Sequence, residues 1–147
     1  EKELFLRSKH TYILDGDNLR LGINKNLGFS TVDRAENIRR IAEIAKIMVD
    51  AGLIVIVAAI SPFKKDRHFA KSLFQKKEFH EVYVNTPLKV CMKRDPKKLY
   101  KKLKTIKGFN KIGLTGSYEK PEDPSMKIDT SKETINNSVK KILKCIF

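Results

Sequence analysis

Asp15-Gly16-Asp17-Asn18 stands where a short apolar run ends, and Arg20 follows three residues after Asp17. His10 to Leu14 reads as a strand closing at the Asp-Gly turn. Open α/β sheets place their ligands at the carboxyl ends of strands, so Asp15, Asp17 and Arg20 are candidates for positioning a charged substrate. Taken alone, Asp-Gly-Asp-Asn is also an ordinary turn. Ile60-Ser61-Pro62 ends a second apolar run, which puts the Ser61 hydroxyl at another strand end. No general base neighbours Ser61 in sequence, so a hydrogen-bonding role fits better than a nucleophilic one. Arg34 and Asn37 are three apart and share one helix face near its N-terminus, where an anion is favoured. Arg39 and Arg40 follow and read as solvated helix arginines. Phe29 and Phe109 each follow a glycine in a loop; an aromatic ring left in a loop either packs on the core or meets a planar ligand.

The elements that must hold these residues alternate strand and helix. Glu1 to Lys9 reads as the tail of a helix. Ser30 to Asp33 is a capping pattern opening a long helix whose apolar positions Ile38, Ile41, Ala42, Ala45, Met48 and Val49 keep helical spacing up to Gly52. Leu53 to Ile60 is apolar on both faces, as expected of a central parallel strand. Lys64 to Phe74 resumes helical spacing, Glu81 to Asn85 is a strand, and Pro87 starts a helix through Arg94 with proline in its first turn. Lys97 to Lys104 is helical and basic, Gly108 to Pro124 is a loop, and Met126 to Asp129 is a last strand. Thr130 to Glu133 reads as a second capping box, opening a terminal helix with Ile135, Val139, Ile142, Leu143 and Ile146 on its apolar face. This alternation implies an α/β fold with a parallel sheet flanked by helices, in one domain spanning 1–147.

Composition narrows the partners. A hydrophobic fraction of 41% is ordinary for a globular chain and excludes a disordered one. The longest apolar run, Leu53 to Ile60, has eight residues, against about 18 for a membrane span. The start, Glu1-Lys2-Glu3-Leu4-Phe5-Leu6, lacks the basic opening and long apolar middle of a secretory signal. Cys91 and Cys145 have no metal spacing with any histidine and fall on apolar helix faces, as core thiols of a reducing, cytoplasmic compartment would. His10, His68 and His80 match no motif. The formal charge of +14 favours anionic partners. Eight lysines and one arginine face a single acid, Asp95, between Lys93 and Lys111.

Together, Asp15-Gly16-Asp17-Asn18, Leu27-Gly28-Phe29-Ser30, Asp33-Arg34-Ala35-Glu36-Asn37-Ile38-Arg39-Arg40, Ile60-Ser61-Pro62 and Ile106-Lys107-Gly108-Phe109 resemble the adenylylsulfate kinase family from Glu1 to the C-terminus. The resemblance implies a P-loop kinase-like fold and an enzyme that moves the γ-phosphate of ATP onto the 3′-hydroxyl of adenosine 5′-phosphosulfate, with Mg2+ as cofactor. It implies catalytic roles for Asp17 and Ser61, with Asp17 also near the metal. It implies substrate contacts from Asp15, Arg20, Phe29, Arg34, Asn37, Ile60, Ser61, Lys107 and Phe109; the arginines grip the phosphosulfate and the two phenylalanines hold the adenine. Residues 93–120 would form a basic mobile lid and acceptor loop, with Arg94, Lys101 and Lys102 in the lid. Expected partners are the nucleotide acceptor and ATP, with no nucleic acid and no membrane; a homodimer is left open.

Two departures qualify that expectation. The glycine-rich phosphate loop G-x-x-x-x-G-K-S/T is not in this sequence: Gly108 to Gly113 has the glycine spacing but continues Leu114-Thr115 and follows no apolar strand. In the resembling family the loop lies directly upstream of the helix read at Glu1 to Lys9, so it is expected roughly 15–30 residues before Glu1, together with a central strand whose absence leaves a gap in the sheet. Asn110 to Glu119 is longer than its family counterpart and lacks the aspartate of the usual Thr-Gly-Ile-Asp. That loop supports a rival acceptor, such as the cytidine diphosphoramidate used in capsule decoration. A basic nucleic-acid-binding module would need more aromatics than Tyr100 and Phe109 in its lysine stripe, and a non-catalytic pseudokinase is the remaining reading.

Overall fold

The Ser30 hydroxyl accepts from the Asp33 amide at 3.1 Å and donates to the Asp33 carboxylate at 2.7 Å, so the long helix begins on a closed cap. That helix, α3 (Thr31–Asp50), follows α1 (Lys2–Phe5), β1 (Thr11–Asp15) and α2 (Gly16–Leu21), and leads into β2 (Ile54–Ala58) and α4 (Lys64–Ser72). The chain then continues through β3 (Val82–Val84), α5 (Leu88–Arg94), β4 (Met126–Ile128) and the terminal helix α6 (Ile135–Ile146). This computed structural model describes residues 1–98, 100–101 and 118–147. Its contacts divide into two units, Glu1–Phe79 and His80–Phe147.

In the first unit β1 and β2 pair in parallel, with Thr11 opposite Ile54 and Asp15 opposite Ala58. Both strands therefore end on the same edge, and whatever follows Asp15 and Ala58 starts from neighbouring points. The core beneath them is Leu14, Ile38, Ile41 and Ala45, with Leu19, Ile44, Met48, Val55, Ala59 and Phe74 packed on it. The helix-face residues expected to be apolar supply that core, each large side chain contributing about 1.5–3 kcal/mol on burial. At the other end of α3, Gly52 adopts φ 87° and its amide donates to the Val49 carbonyl, which turns the chain into β2. One expectation changes here. The run Leu53 to Ile60 reads as a strand buried on both faces, yet Val57 is 45% and Ile60 58% exposed. Among the described residues β2 pairs only with β1, so part of its apolar surface has no cover.

In the second unit β3 and β4 also pair in parallel, Val82 opposite Met126 and Val84 opposite Ile128. Ile128 and Leu143 are buried there, and the rings of Tyr83 and Tyr118 stack at 5.8 Å. Pro87 serves as the N-cap of α5 rather than a residue of its first turn.

The terminal helix corrects a second expectation. It is capped by Thr134, whose hydroxyl accepts from the Asn137 amide at 3.3 Å, and not by Thr130. The Thr130 amide donates to the Thr86 hydroxyl at 3.0 Å, and its own hydroxyl lies 2.8 Å from the same oxygen. Arg94 donates to both the hydroxyl and the carbonyl of Thr130. Glu133, the would-be partner of a Thr130 cap, instead pairs with Lys141 at 3.0 Å. Tertiary partners thus occupy Thr130 and delay the helix. The apolar face is also shorter than expected, since Ile135 is 82% exposed. Thr134→Ala should lower stability by about 1 kcal/mol through loss of this cap, measured as a shift in the urea unfolding midpoint.

Candidate functional site

The segment between α2 and α3 makes few backbone ladder bonds of its own, so arginine side chains take its carbonyls. Arg20 Nη1 donates to the carbonyls of Leu27 at 3.2 Å and Gly28 at 2.7 Å. Arg34 Nε donates to the Phe29 carbonyl at 3.0 Å. Arg40 Nη1 reaches the Ile23 carbonyl at 3.2 Å and the Asn26 side chain at 2.9 Å. A Cβ at Gly28 would lie 2.9 Å from Asp33 Oδ2, so the Asp33 carboxylate that Ser30 binds would have to shift to admit one.

Phe29 emerges from this frame 47% exposed, with Arg20 4.6 Å and Arg34 5.4 Å from its ring centre. Phe29 is thus only half covered by its own fold. Burial, and then the neighbouring Arg20 charge, push the Arg34 guanidinium below its ordinary pKa. Two cations beside one half-exposed ring suit a ligand that carries both an anion and a flat base.

The strand ends supply the other groups. Asp15 closes β1, and one of its carboxylate oxygens accepts from the Asp17 amide at 2.9 Å and the Asn18 amide at 3.0 Å. That oxygen is the N-cap of α2, so Asp15 holds the turn that presents Asp17. Ile60 and Ser61 follow β2, the strand paired with β1, with Ser61 half-buried. Asn37 is 6% exposed; its side-chain oxygen accepts from Asn24 Nδ2 at 3.0 Å.

Arg94 and Lys101 belong to the second unit. Arg94 is bound to Thr130, as described above. The Lys101 amide donates to Asp95 Oδ2 at 3.0 Å and the Tyr100 amide to Oδ1 at 3.1 Å, so Asp95 gathers the start of the basic segment. Lys102, Lys107 and Phe109 lie outside the described residues.

Sequence reasoning passed over three side chains that matter here. Asn24 is fully buried against Asn37, and Arg67 is buried beneath the Ser61 turn. Arg40, read as solvated, is a tie between α3 and the loop. Only Arg40 carried a signal that could have been used, since Glu36 stands four residues before it at ion-pairing distance on a helix. Glu36 accepts from Arg39 Nε at 2.7 Å and from Arg40 Nε at 2.8 Å.

Parallel strands flanked by helices, with candidate site residues at the carboxyl ends of β1 and β2, fit an α/β fold of the P-loop kinase kind. The chain belongs to the adenylylsulfate kinase family, whose model matches residues 1–129. The adenylyl-sulfate kinase of Staphylococcus epidermidis is 51% identical over 144 residues, covering 98% of this chain and 72% of that protein. The enzyme of the same name from Pseudomonas aeruginosa is 52% identical over 143 residues, covering 97% and 73%. Among solved structures, the Mycobacterium tuberculosis APS kinase CysC in complex with AMPPNP and APS superposes with a TM-score of 0.93 at 36% identity, covering 99% of this chain and 85% of that one.

Hydrogen bonds from Arg39 and then Arg40 hold the Glu36 carboxyl down to about 2, from an ordinary 4.5. A depressed carboxylate pKa stabilises the fold above the ordinary value and loses that contribution as pH falls through the folded one. Glu36→Gln should therefore lower the thermal midpoint at pH 7, and its difference from the unsubstituted protein should fade as the pH drops from about 4.5 towards 2. Calorimetry across that range checks it.

Proposed function

We propose that the protein is an adenylylsulfate kinase, transferring the γ-phosphate of ATP to the 3′-hydroxyl of adenosine 5′-phosphosulfate. The observation that carries the reading is the Phe29 ring between Arg20 and Arg34, in a chain of this family. A planar adenine stacks on Phe29, and the guanidinium groups take the phosphosulfate charge. The relatives bear the same name, and the solved relative was captured with APS and an ATP analogue.

Each residue then has a task. Arg34, half-buried beside Arg20, gains from an incoming anion. Because both arginines already hold the loop, anion binding costs little side-chain freedom. Asp17, presented by the Asp15 cap, aims the acceptor hydroxyl. Ser61 hydrogen-bonds the acceptor from the neighbouring strand end, with Ile60 beside it, and Asn37 supports the acceptor from α3. The family resemblance further assigns Arg94, Lys101, Lys102 and Lys107 to a basic lid and Phe109 to the adenine; among these, Arg94 and Lys101 lie beside Asp95, whose carboxylate takes the Tyr100 and Lys101 amides.

Magnesium characteristically keeps several waters and takes one or two protein carboxylates besides substrate oxygens. Asp17, presented after β1 by the Asp15 cap, would be a single, indirect ligand of such an ion. When bound, the ion neutralises charge spreading over the transferring phosphoryl group. The residues of this sequence do not fit the phosphates of ATP in the same way, because no glycine-rich phosphate loop stands among them. The acceptor side is what these residues build. Among the described residues no helix is long and apolar enough to cross a membrane, and both cysteines are free thiols, which supports a reducing, cytoplasmic setting.

Phe29→Leu in the intact enzyme should weaken acceptor binding by about 1–3 kcal/mol, the worth of one base–aromatic stack, with ATP affinity nearly unchanged; calorimetric titration of each nucleotide separates the two. Asp17→Asn should lower kcat far more than it changes either affinity. Steady-state assays with adenosine 5′-phosphosulfate and with a cytidine diphosphoramidate acceptor, side by side, read both reaction and substrate. Transfer to the second acceptor alone would overturn the sulfate-activation reading, and an undiminished kcat would remove Asp17 from its role.

A further inference from the structure

The turn after β2 contains an unfavourable backbone conformation at a functional position. Ser61 has φ 43°, in the left-handed region that glycine tolerates and serine seldom adopts. Pro62 follows, and a proline ring restricts the residue before it further by crowding that residue's amide and Cβ. Such a conformation persists only where the surroundings over-determine it. One such restraint is a buried side chain. Arg67, on α4 and only 8% exposed, donates from Nη1 to the Ser61 carbonyl at 2.7 Å. Pro62 itself is buried, so the turn is held from both sides of the peptide bond.

We infer that Arg67 is a positioning residue for the acceptor. A charge-assisted bond of this length, from a buried guanidinium, is of the strong class. It fixes the Ser61 carbonyl and hence the left-handed turn. The turn in turn sets the direction in which the Ser61 hydroxyl leaves the strand edge shared with Asp15. Arg67 acts from beneath, through Ser61, and touches no reacting atom. The inference rests on the proposed contact between Ser61 and the acceptor. It adds that the geometry of that contact is imposed from α4, six residues along the chain.

The test uses the intact enzyme with Arg67→Met, Arg67→Lys, Ser61→Ala and the double variant Arg67→Met/Ser61→Ala. Arg67→Met should lower kcat/KM for the acceptor about tenfold to a hundredfold, as misplacing a substrate-orienting group does, while KM for ATP stays within about twofold. Arg67→Lys keeps a buried cation and one donor, so it should recover part of the loss; it also serves if the methionine variant does not fold. In the Ser61→Ala background the Arg67→Met loss should nearly vanish, because residues acting as a unit are not additive. An equal loss in both backgrounds, with Ser61→Ala itself impaired, would overturn the role of Arg67 and leave the function intact. Unchanged kinetics of Ser61→Ala would remove the Ser61 contact, and the inference with it. A strain readout is independent of activity: Ser61→Gly, which relieves the left-handed φ, should shrink the drop in thermal midpoint caused by Arg67→Met. An undiminished drop would overturn the backbone argument.

Discussion

Arginine donors on loop carbonyls are the interaction from which the rest of this site follows. Among the described residues no strand pairs with the chain between α2 and α3, so the carbonyls of Ile23, Leu27, Gly28 and Phe29 take donors from elsewhere. Arg40, Arg20 and Arg34 supply them. A guanidinium offers several N–H groups in a fixed plane, so one side chain can bridge two carbonyls and still face a ring. Arg20 does this. Phe29 is held outward by that arrangement and not by burial, since nearly half of its surface stays exposed.

Using cations as scaffold has an electrostatic consequence. Arg20 and Arg34 converge on one ring, and burial, with their mutual repulsion added to it, depresses Arg34. Carbonyl dipoles compensate such charges only in part, so under the proposed function the groups that fix the loop are also those that would gain from an incoming anion. Strand pairing adds the second axis of the site. Because β1 and β2 are parallel and in register at Asp15 and Ala58, the turns carrying Asp17 and Ser61 leave the same edge.

Much of the first unit was legible along the chain because its determinants are local. The Ser30 cap, the helical spacing of Ile38, Ile41 and Ala45, and the Gly52 stop each involve residues a few positions apart. Thr130 shows where local reading fails. Its sequence context is a capping box as good as that of Ser30, yet Thr86 and Arg94, 44 and 36 residues away, take its polar groups. Asp15 adds a role that local reading did not give it, since it caps the helix that presents Asp17.

What the sequence by itself determined is the order of elements, the excess of positive charge, and the set of residue types assembled for an anionic nucleotide. Hydrophobic periodicity, turn residues and motif spacing carry that information because each is written within a turn or two of chain. What only the tertiary structure decided is which polar groups satisfy one another. Asn24 against Asn37, Arg40 on the loop and Arg67 under Ser61 are pairings of buried or half-buried donors and acceptors, made compulsory by desolvation. Such groups must find partners wherever the fold brings one within reach, and no spacing in the chain announces which partner that will be.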